Sequence, residues 1–344
     1  MLQNFLSEHW WEGATLEDVF EELRKGAEVD VRGDMGITAF MKAVCFNENP
    51  DVIKALIDHG GDLVMRDDFG RSPLMLAAET NANAEIVKLL IEQGADVNYQ
   101  NEYGETAVML ACQHNNNAEV VRILADAGAD LNITYTLGRT CLMIAAENNE
   151  NPEIIKVLQK CGAEVNARDG VGETALMMAA ANNPSSEVIQ TLIKAGALID
   201  ATNNFGETAL HLAAESNLNT DVIRILLENG ANVNAQDAEG ATPLMKATYN
   251  EIYSDIMELL LAYGADENLQ DAFGKTLQDY ENEREKAMLD EDDEDDDVDE
   301  DDVDEDDGEY EYVSDEAAAN EIDDEFGEEY NAEDEIEKEF GDEE

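Results

Sequence analysis

Residues 70–103 read GRSPLMLAAETNANAEIVKLLIEQGADVNYQNEY, and the same pattern restarts at Gly104. One glycine recurs at 36, 70, 104, 138, 172, 206, 240 and 274, always 34 residues apart. A second recurs at 26, 60, 94, 128, 162, 196, 230 and 264, at the same interval. Two registers that agree eight times each define a repeat array, and a period of this length implies stacked supersecondary units.

The unit can be read outward from Gly70. Ser72 stands two residues later, and Thr or Ser fills that slot in all eight units: Thr38, Ser72, Thr106, Thr140, Thr174, Thr208, Thr242 and Thr276. A hydroxyl there can accept from the open amides at a helix start. Pro73 and Pro243 follow where a missing N–H costs least. Apolar and then small residues come next, as in Leu74-Met75-Leu76-Ala77-Ala78, so neighbouring helices can approach closely. Eleven residues after the glycine stands Asn47, Asn81, Asn115, Asn149, Asn183 or Asn217. Asparagine tolerates the left-handed conformation, so this slot is expected to end the first helix. Asn49, Asn83, Asn117, Asn151, Ser185 and Asn219 are expected to cap a second helix. Its first turn carries an acid in each unit (Asp51, Glu85, Glu119, Glu153, Glu187, Asp221, Asp255) on the favourable end of the helix dipole. Apolar spacing such as Ile86, Val87 and Leu90 marks its buried face, and the second glycine closes it.

This unit resembles the ankyrin repeat. The shared motifs are Gly-x-Thr-Pro-Leu-His-x-Ala-Ala, an Ile-Val-x-Leu-Leu second helix and a Gly-Ala-Asp-Val-Asn hairpin, over roughly residues 14–288. The resemblance implies an all-α solenoid of helix-turn-helix units joined by β-hairpin-like loops, whose role is to bind another protein through the hairpin tips and the concave helix face. Two departures stand out. The unit has 34 residues rather than 33, with the extra one in the Asn-rich loop. The motif histidine survives only as His211, and Met41, Met75, Met109, Met143, Met177 and Met245 replace it elsewhere. Soft thioether packing is expected to stand in for the histidine's hydrogen bonds. Asn-rich, Met-substituted repeats are similar to those of bacterial ankyrin proteins.

Charge divides the chain. All 344 residues hold 82 acids against 20 bases, a formal net charge of −62. Residues 290–344 alone carry 34 acids and one base, Lys338. Such a segment cannot bury enough apolar surface to offset its chain entropy, so it is expected to be a disordered acidic tail. The expected organisation is a capping partial repeat over 1–35, seven complete repeats over 36–273, a capping half-repeat over 274–289, and the tail. Polar Asp18 and Glu22 at one end, and Gln278, Asp279 and Glu281 at the other, stand where inner repeats place apolar side chains; a solenoid needs such ends.

Composition narrows function. The negative charge opposes unaided binding to nucleic acid or an anionic membrane. No membrane span or signal peptide is read, which points to an intracellular, cytoplasmic protein. His9, His59, His114 and His211 occupy different slots, as do Cys45, Cys112, Cys141 and Cys161. No metal or catalytic set is therefore expected, the cysteines read as small buried thiols, and no nucleotide fingerprint occurs. The acidic run lacks a calcium loop, because Val303 breaks the only placement before Gly308. In the tail, Phe326, Tyr330, Ile336 and Phe340 punctuate the acids, a pattern of short docking motifs. Lys54, Lys88, Arg122, Lys156 and Arg224 each follow an acid by three residues and read as intrahelical ion pairs rather than a basic stripe.

The candidate binding residues lie at the turns. Just before each turn glycine stand Met35, Phe69, Tyr103, Leu137, Val171, Phe205, Glu239 and Phe273, seven of the eight apolar, forming a row at expected hairpin tips. Directly after it the charge varies: Arg71, Glu105, Arg139, Glu173, Glu207, Lys275. The resulting expectation is a non-catalytic, monomeric scaffold without cofactors that prefers a basic protein ligand. The alternative is a histone-like or basic-protein chaperone led by the acidic tail.

Overall fold

The computed structural model describes residues 5–250 and 252–294. Two short helices, Glu8–Gly13 and Leu16–Arg24, precede the array. The first helices of successive repeats are Ala39–Phe46, Pro73–Thr80, Ala107–His114, Cys141–Asn148, Ala175–Asn182, Ala209–Ser216 and the short Pro243–Lys246. The second helices are Pro50–Asp58, Ala84–Glu92, Ala118–Asp126, Pro152–Lys160, Ser186–Lys194, Thr220–Glu228 and Tyr253–Ala262. First helices stack on first helices and second on second, each against its neighbours in sequence. The core is one continuous apolar column of positions such as Leu74, Met75, Ile86, Val87 and Leu90, all buried. No single repeat covers its own apolar face, so stacking supplies the burial.

The caps form as the hydroxyl row predicts. Ser72 Oγ accepts from Met75 N at 3.2 Å, and Thr38, Thr106, Thr140, Thr174 and Thr242 act alike. Both glycine rows are left-handed, with φ between 70° and 98°, a region that costs a side chain 1–2 kcal/mol by about that order. The methionines replace more of the histidine than packing alone. Met41 and Met143 Sδ accept the N–H of Thr38 and Thr140 at 3.4 Å, and Met245 Sδ that of Thr242 at 3.5 Å. His211 Nδ1 accepts from Thr208 N at 3.1 Å, while Nε2 lies 3.1 Å from the Ala241 carbonyl of the next repeat. At these three positions the thioether keeps the local bond but has no proton for the second, so the link between repeats is lost.

The structure corrects the asparagine expectation. Asn47, Asn81, Asn115, Asn149, Asn183 and Asn217 have extended, not left-handed, backbone, with φ from −81° to −115°. They are buried. Each side-chain amide donates to two carbonyls of the unit before it; Asn115, for example, reaches Ala78 O at 2.9 Å and Asn81 O at 3.1 Å. The seventh repeat has no asparagine at this spacing. There the first helix ends in a tighter 3₁₀ turn, Ala247–Tyr249, and Asn250 takes the role one residue early, donating to Asn217 O at 3.1 Å. Asn49, Asn83, Asn117, Asn151 and Asn219 cap the second helices as expected, but Ser185 makes no side-chain cap.

Other expectations need adjustment. Glu22 is not an outward cap residue: it is buried and bonded to Lys25 Nζ at 3.0 Å. Cys112 and Cys141 are buried, whereas Cys161 is exposed at the C-terminal cap of a second helix. The last helix, Leu277–Glu294, runs five residues past the expected tail boundary at 290. That boundary was read from charge, and no Gly or Pro stands between Leu277 and Glu294 to break the helix. The rest of the expected tail, 295–344, with its aromatic motifs, lies outside the described residues.

Candidate partner-binding surface at the hairpin tips

Six of the eight turns are built from an Asp or Asn side chain three residues before the glycine. Asp67 Oδ1 accepts from Phe69 N at 3.0 Å and from Arg71 N at 2.7 Å. Asn101, Asp169, Asn203, Asp237 and Asp271 repeat this arrangement, and all but Asp237 are at least nine-tenths buried. An Asx side chain in this place satisfies the turn's own amides. Most consecutive turns are also joined through backbone: Val171 O accepts from Asn204 N at 2.9 Å, and Phe205 O from Ala238 N at 2.8 Å. The expected hairpins are therefore single-rung turns. Among the described residues there is no extended strand, only the isolated bridges Arg32–Thr38 and Tyr135–Arg139.

Because polar bonds hold the turns, the tip side chains are not needed to pack them. Met35, Tyr103, Leu137, Phe205 and Phe273 are 56–74% exposed, and Phe69 is 40% exposed. Val171 is half-buried, and Glu239 is exposed. Phe69 differs from its neighbours in lying near the Arg71 guanidinium, 5.2 Å from the ring centre. The Asx residue is absent in two turns, where Gly33 and Tyr135 take its place. Those are the two in which the tip residue itself is left-handed, Met35 at φ 53° and Leu137 at φ 60°. Positive φ at both central residues is the geometry of a tight two-residue hairpin. The Asx row was visible in the sequence as Asp or Asn every 34 residues, a signal the reading of the turns overlooked.

The charges after each glycine are largely engaged within the chain. Arg71 Nε meets Asp67 Oδ2 at 2.8 Å, and its Nη1 meets Glu79 at 3.1 Å. Arg139 pairs with Glu147 at 2.7 Å and Lys275 with Glu283 at 2.8 Å, each across eight residues. Glu105 and Glu207 accept from Asn101 and Asn203, and Lys246 approaches Glu207, Glu215 and Asp237 together. On the second helices, the ion pairs Lys88–Glu85, Arg122–Glu119, Lys156–Glu153 and Arg224–Asp221 form as expected, whereas the expected Lys54–Asp51 pair does not.

The family model for ankyrin repeats matches the chain in three copies, over residues 12–101, 74–169 and 176–271. The chain belongs to the ankyrin-repeat family. Ankyrin repeats are in general protein–protein interaction modules and typically non-catalytic. No curated protein matches this ankyrin chain. Among the described residues no group of three His, Cys, Asp or Glu side chains is arranged to hold a metal ion, and no helix is long and apolar enough to cross a membrane.

Proposed function

We propose that this ankyrin array is an intracellular, monomeric scaffold that binds a segment of a basic protein along its hairpin tips. The observation that carries this reading is the row Met35, Phe69, Tyr103, Leu137, Phe205 and Phe273, apolar side chains left exposed by turns that do not use them. Apolar anchors next to polar and charged side chains are the composition of a recognition surface. At a helix spacing of about 8–10 Å the row extends on the order of 60 Å, long enough for an extended or helical segment. The excess of carboxylates over bases favours a cationic partner and speeds its encounter. Arg71, Glu105, Arg139, Glu173, Glu207 and Lys275 border the row and set which sequences are accepted.

The tail supports the second reading, a basic-protein chaperone, because residues 290–344 hold 34 acids. Capture of partners from extract by the full chain and by a chain ending at 294 separates the two. A tip-led scaffold keeps its partner without the tail and loses it when Tyr103 and Phe205 become alanine. A tail-led chaperone shows the opposite dependence.

A further inference from the structure

Two rows of hydrogen bonds join each hairpin arm, the chain between a second helix and a tip, to the next arm. The first row lies at the base. An Asp or Asn side chain accepts a backbone amide that stands 32 residues further on: Asp62 N donates to Asp30 at 3.1 Å, Asp130 N to Asn98 at 2.9 Å and Leu198 N to Asn166 at 2.9 Å. Glu164, Asn232 and Asp266 donate in the same way to Asn132, Asp200 and Asn234. The second row lies at the tip. There Asp68, Gly170, Asn204, Ala238 and Ala272 each donate to the carbonyl of the preceding tip residue at 2.6–2.9 Å.

The junction between the second and third repeats has neither bond. Val64 stands in the acceptor slot of the base row, so the Asp96 amide has no protein partner. At the tip, no bond forms from Glu102 N to Phe69 O. Asp96 and Glu102 are exposed, and their amides are left to water. Among the described residues no hydrogen bond or ion pair joins 60–71 to 94–105. The polar contact there is the Arg66 guanidinium stacked on the Tyr99 ring, 3.8 Å from its centre, an interaction with broad geometric tolerance. The tips are also set further apart. A carbon added to Gly206 or Gly240 would lie 2.6 or 2.8 Å from the amide nitrogen of the next turn, whereas one added to Gly70 would lie 3.5 Å from Glu102 N. The third and fourth repeats lack the tip bond as well, but Asn98 still ties their arms at the base.

The opposite edge of the same junction is fully bonded. Asn115 donates to Ala78 O at 2.9 Å and to Asn81 O at 3.1 Å, and Asn117 donates to Ala82 O at 2.8 Å. One edge is therefore pinned by directional bonds while the other is held by packing and stacking. Apolar contact is non-directional, so it opposes separation more than a small tilt.

We propose that the array hinges at this junction, the hairpin edge opening and closing between the second and third repeats about a pivot formed by Asn115 and Asn117. Hinges are a few residues that absorb the change while the bodies on either side stay intact. The inference rests on the tip-row reading for its use: the hinge makes the spacing of Phe69 and Tyr103 adjustable to the bound segment, while the tips beyond Leu137 keep theirs.

The test is pulsed-EPR distance measurement on the full chain without a partner. Cys161, the exposed native thiol, is replaced by alanine, and nitroxide labels are placed in pairs that each span two junctions. Asp34→Cys with Glu102→Cys crosses the hinge on the hairpin edge. Glu48→Cys with Asn116→Cys crosses it on the loop edge, and Asn204→Cys with Ala272→Cys spans bonded tips. The first pair is expected to give a broader distance distribution than the other two. Val64→Asn restores the acceptor of the base row at an exposed position. It should narrow the first distribution and slow hydrogen exchange of the Asp96 amide. Equal widths for the three pairs would overturn the hinge, and so would equal broadening on the loop edge. Protection of Asp96 without narrowing would remove the missing bond as its cause. No partner is present in these measurements, so their outcome stands apart from the tip-row experiment.

Discussion

The side-chain amide of Asn115 donates to the backbone carbonyl of Asn81, 3.1 Å away and one repeat earlier. Asn81 does the same to Asn47 at 3.2 Å, and the chain of contacts continues through Asn149, Asn183, Asn217 and Asn250. Each Oδ1 turns the other way and accepts the amide two residues on, as Asn115 does from Asn117 at 2.9 Å. An asparagine in this slot therefore uses both donors and its acceptor, and ties each inter-helix loop to the loop before it. In a stack whose apolar contacts are non-directional, these bonds fix the vertical register.

The ladder should be expensive to interrupt. Asn115→Ala leaves two carbonyls and one amide without their protein partner and should cost about 2–3 kcal/mol. Asn117→Ala, at a half-buried second-helix cap that also donates to Ala82 O at 2.8 Å, should cost about 1–2 kcal/mol. Urea unfolding of the two variants checks the order, and a larger loss for Asn117→Ala would contradict it.

The tip aromatics should separate binding from stability. Tyr103→Ala and Phe205→Ala, each removing a ring that is 59–60% exposed, should weaken partner binding by about 1–3 kcal/mol each. Their melting temperatures should stay close to the parent. Phe69→Ala should also lower the melting temperature, since that ring is less exposed and lies near Arg71. Clear destabilisation by all three, with affinity unchanged, would make the row a packing feature.

Arg71 should matter more than any exposed base. Its removal strands Asp67, whose side chain is fully buried, at a cost of about 2 kcal/mol. Lys156→Ala breaks a solvent-exposed pair and should change stability by less than about 0.5 kcal/mol. Paired denaturation curves decide the comparison.

His211 should give the array one pH-dependent joint. Burial holds its pKa below the ordinary histidine value, against the opposing pull of the hydrogen bond to Ala241. The unfolded chain therefore takes up a proton before the folded chain does. Its contribution to stability is complete above about pH 6.5, the ordinary histidine value, and is lost as pH falls from there through the folded pKa. His211→Met, the residue of most other repeats, should flatten that part of the stability profile. An unchanged slope between the two proteins would exclude the assignment.

Both tryptophans, Trp10 and Trp11, lie in the first helix, with Trp11 fully buried against Phe5. In a nearest-neighbour stack an end unit has only one neighbour to hold it. Tryptophan fluorescence should therefore report unfolding at lower denaturant than the helix signal of the whole array. Coincident transitions would mean that the N-terminal unit is no weaker than the rest.

The array itself was legible in the sequence. Period, helix boundaries, hydroxyl caps and left-handed glycines are local requirements of the backbone, and local requirements repeat visibly. The position of the tip row was legible for the same reason. What the tertiary structure decided are relations between repeats. Asn81 and Asn115 read as helix terminators because asparagine is locally suited to that task, but only stacking brings a carbonyl of the preceding repeat within reach of each amide. Asn250 shows this most clearly: one residue out of register in the sequence, it is returned to its slot by a 3₁₀ turn. The exposure of Tyr103 and Phe205, the capture of Arg71 by Asp67 and Glu79, and the missing partner of the Asp96 amide were likewise set by which groups meet across a turn or junction. A residue's identity fixes what bonds it can make, and its neighbours in space decide which of them it does make.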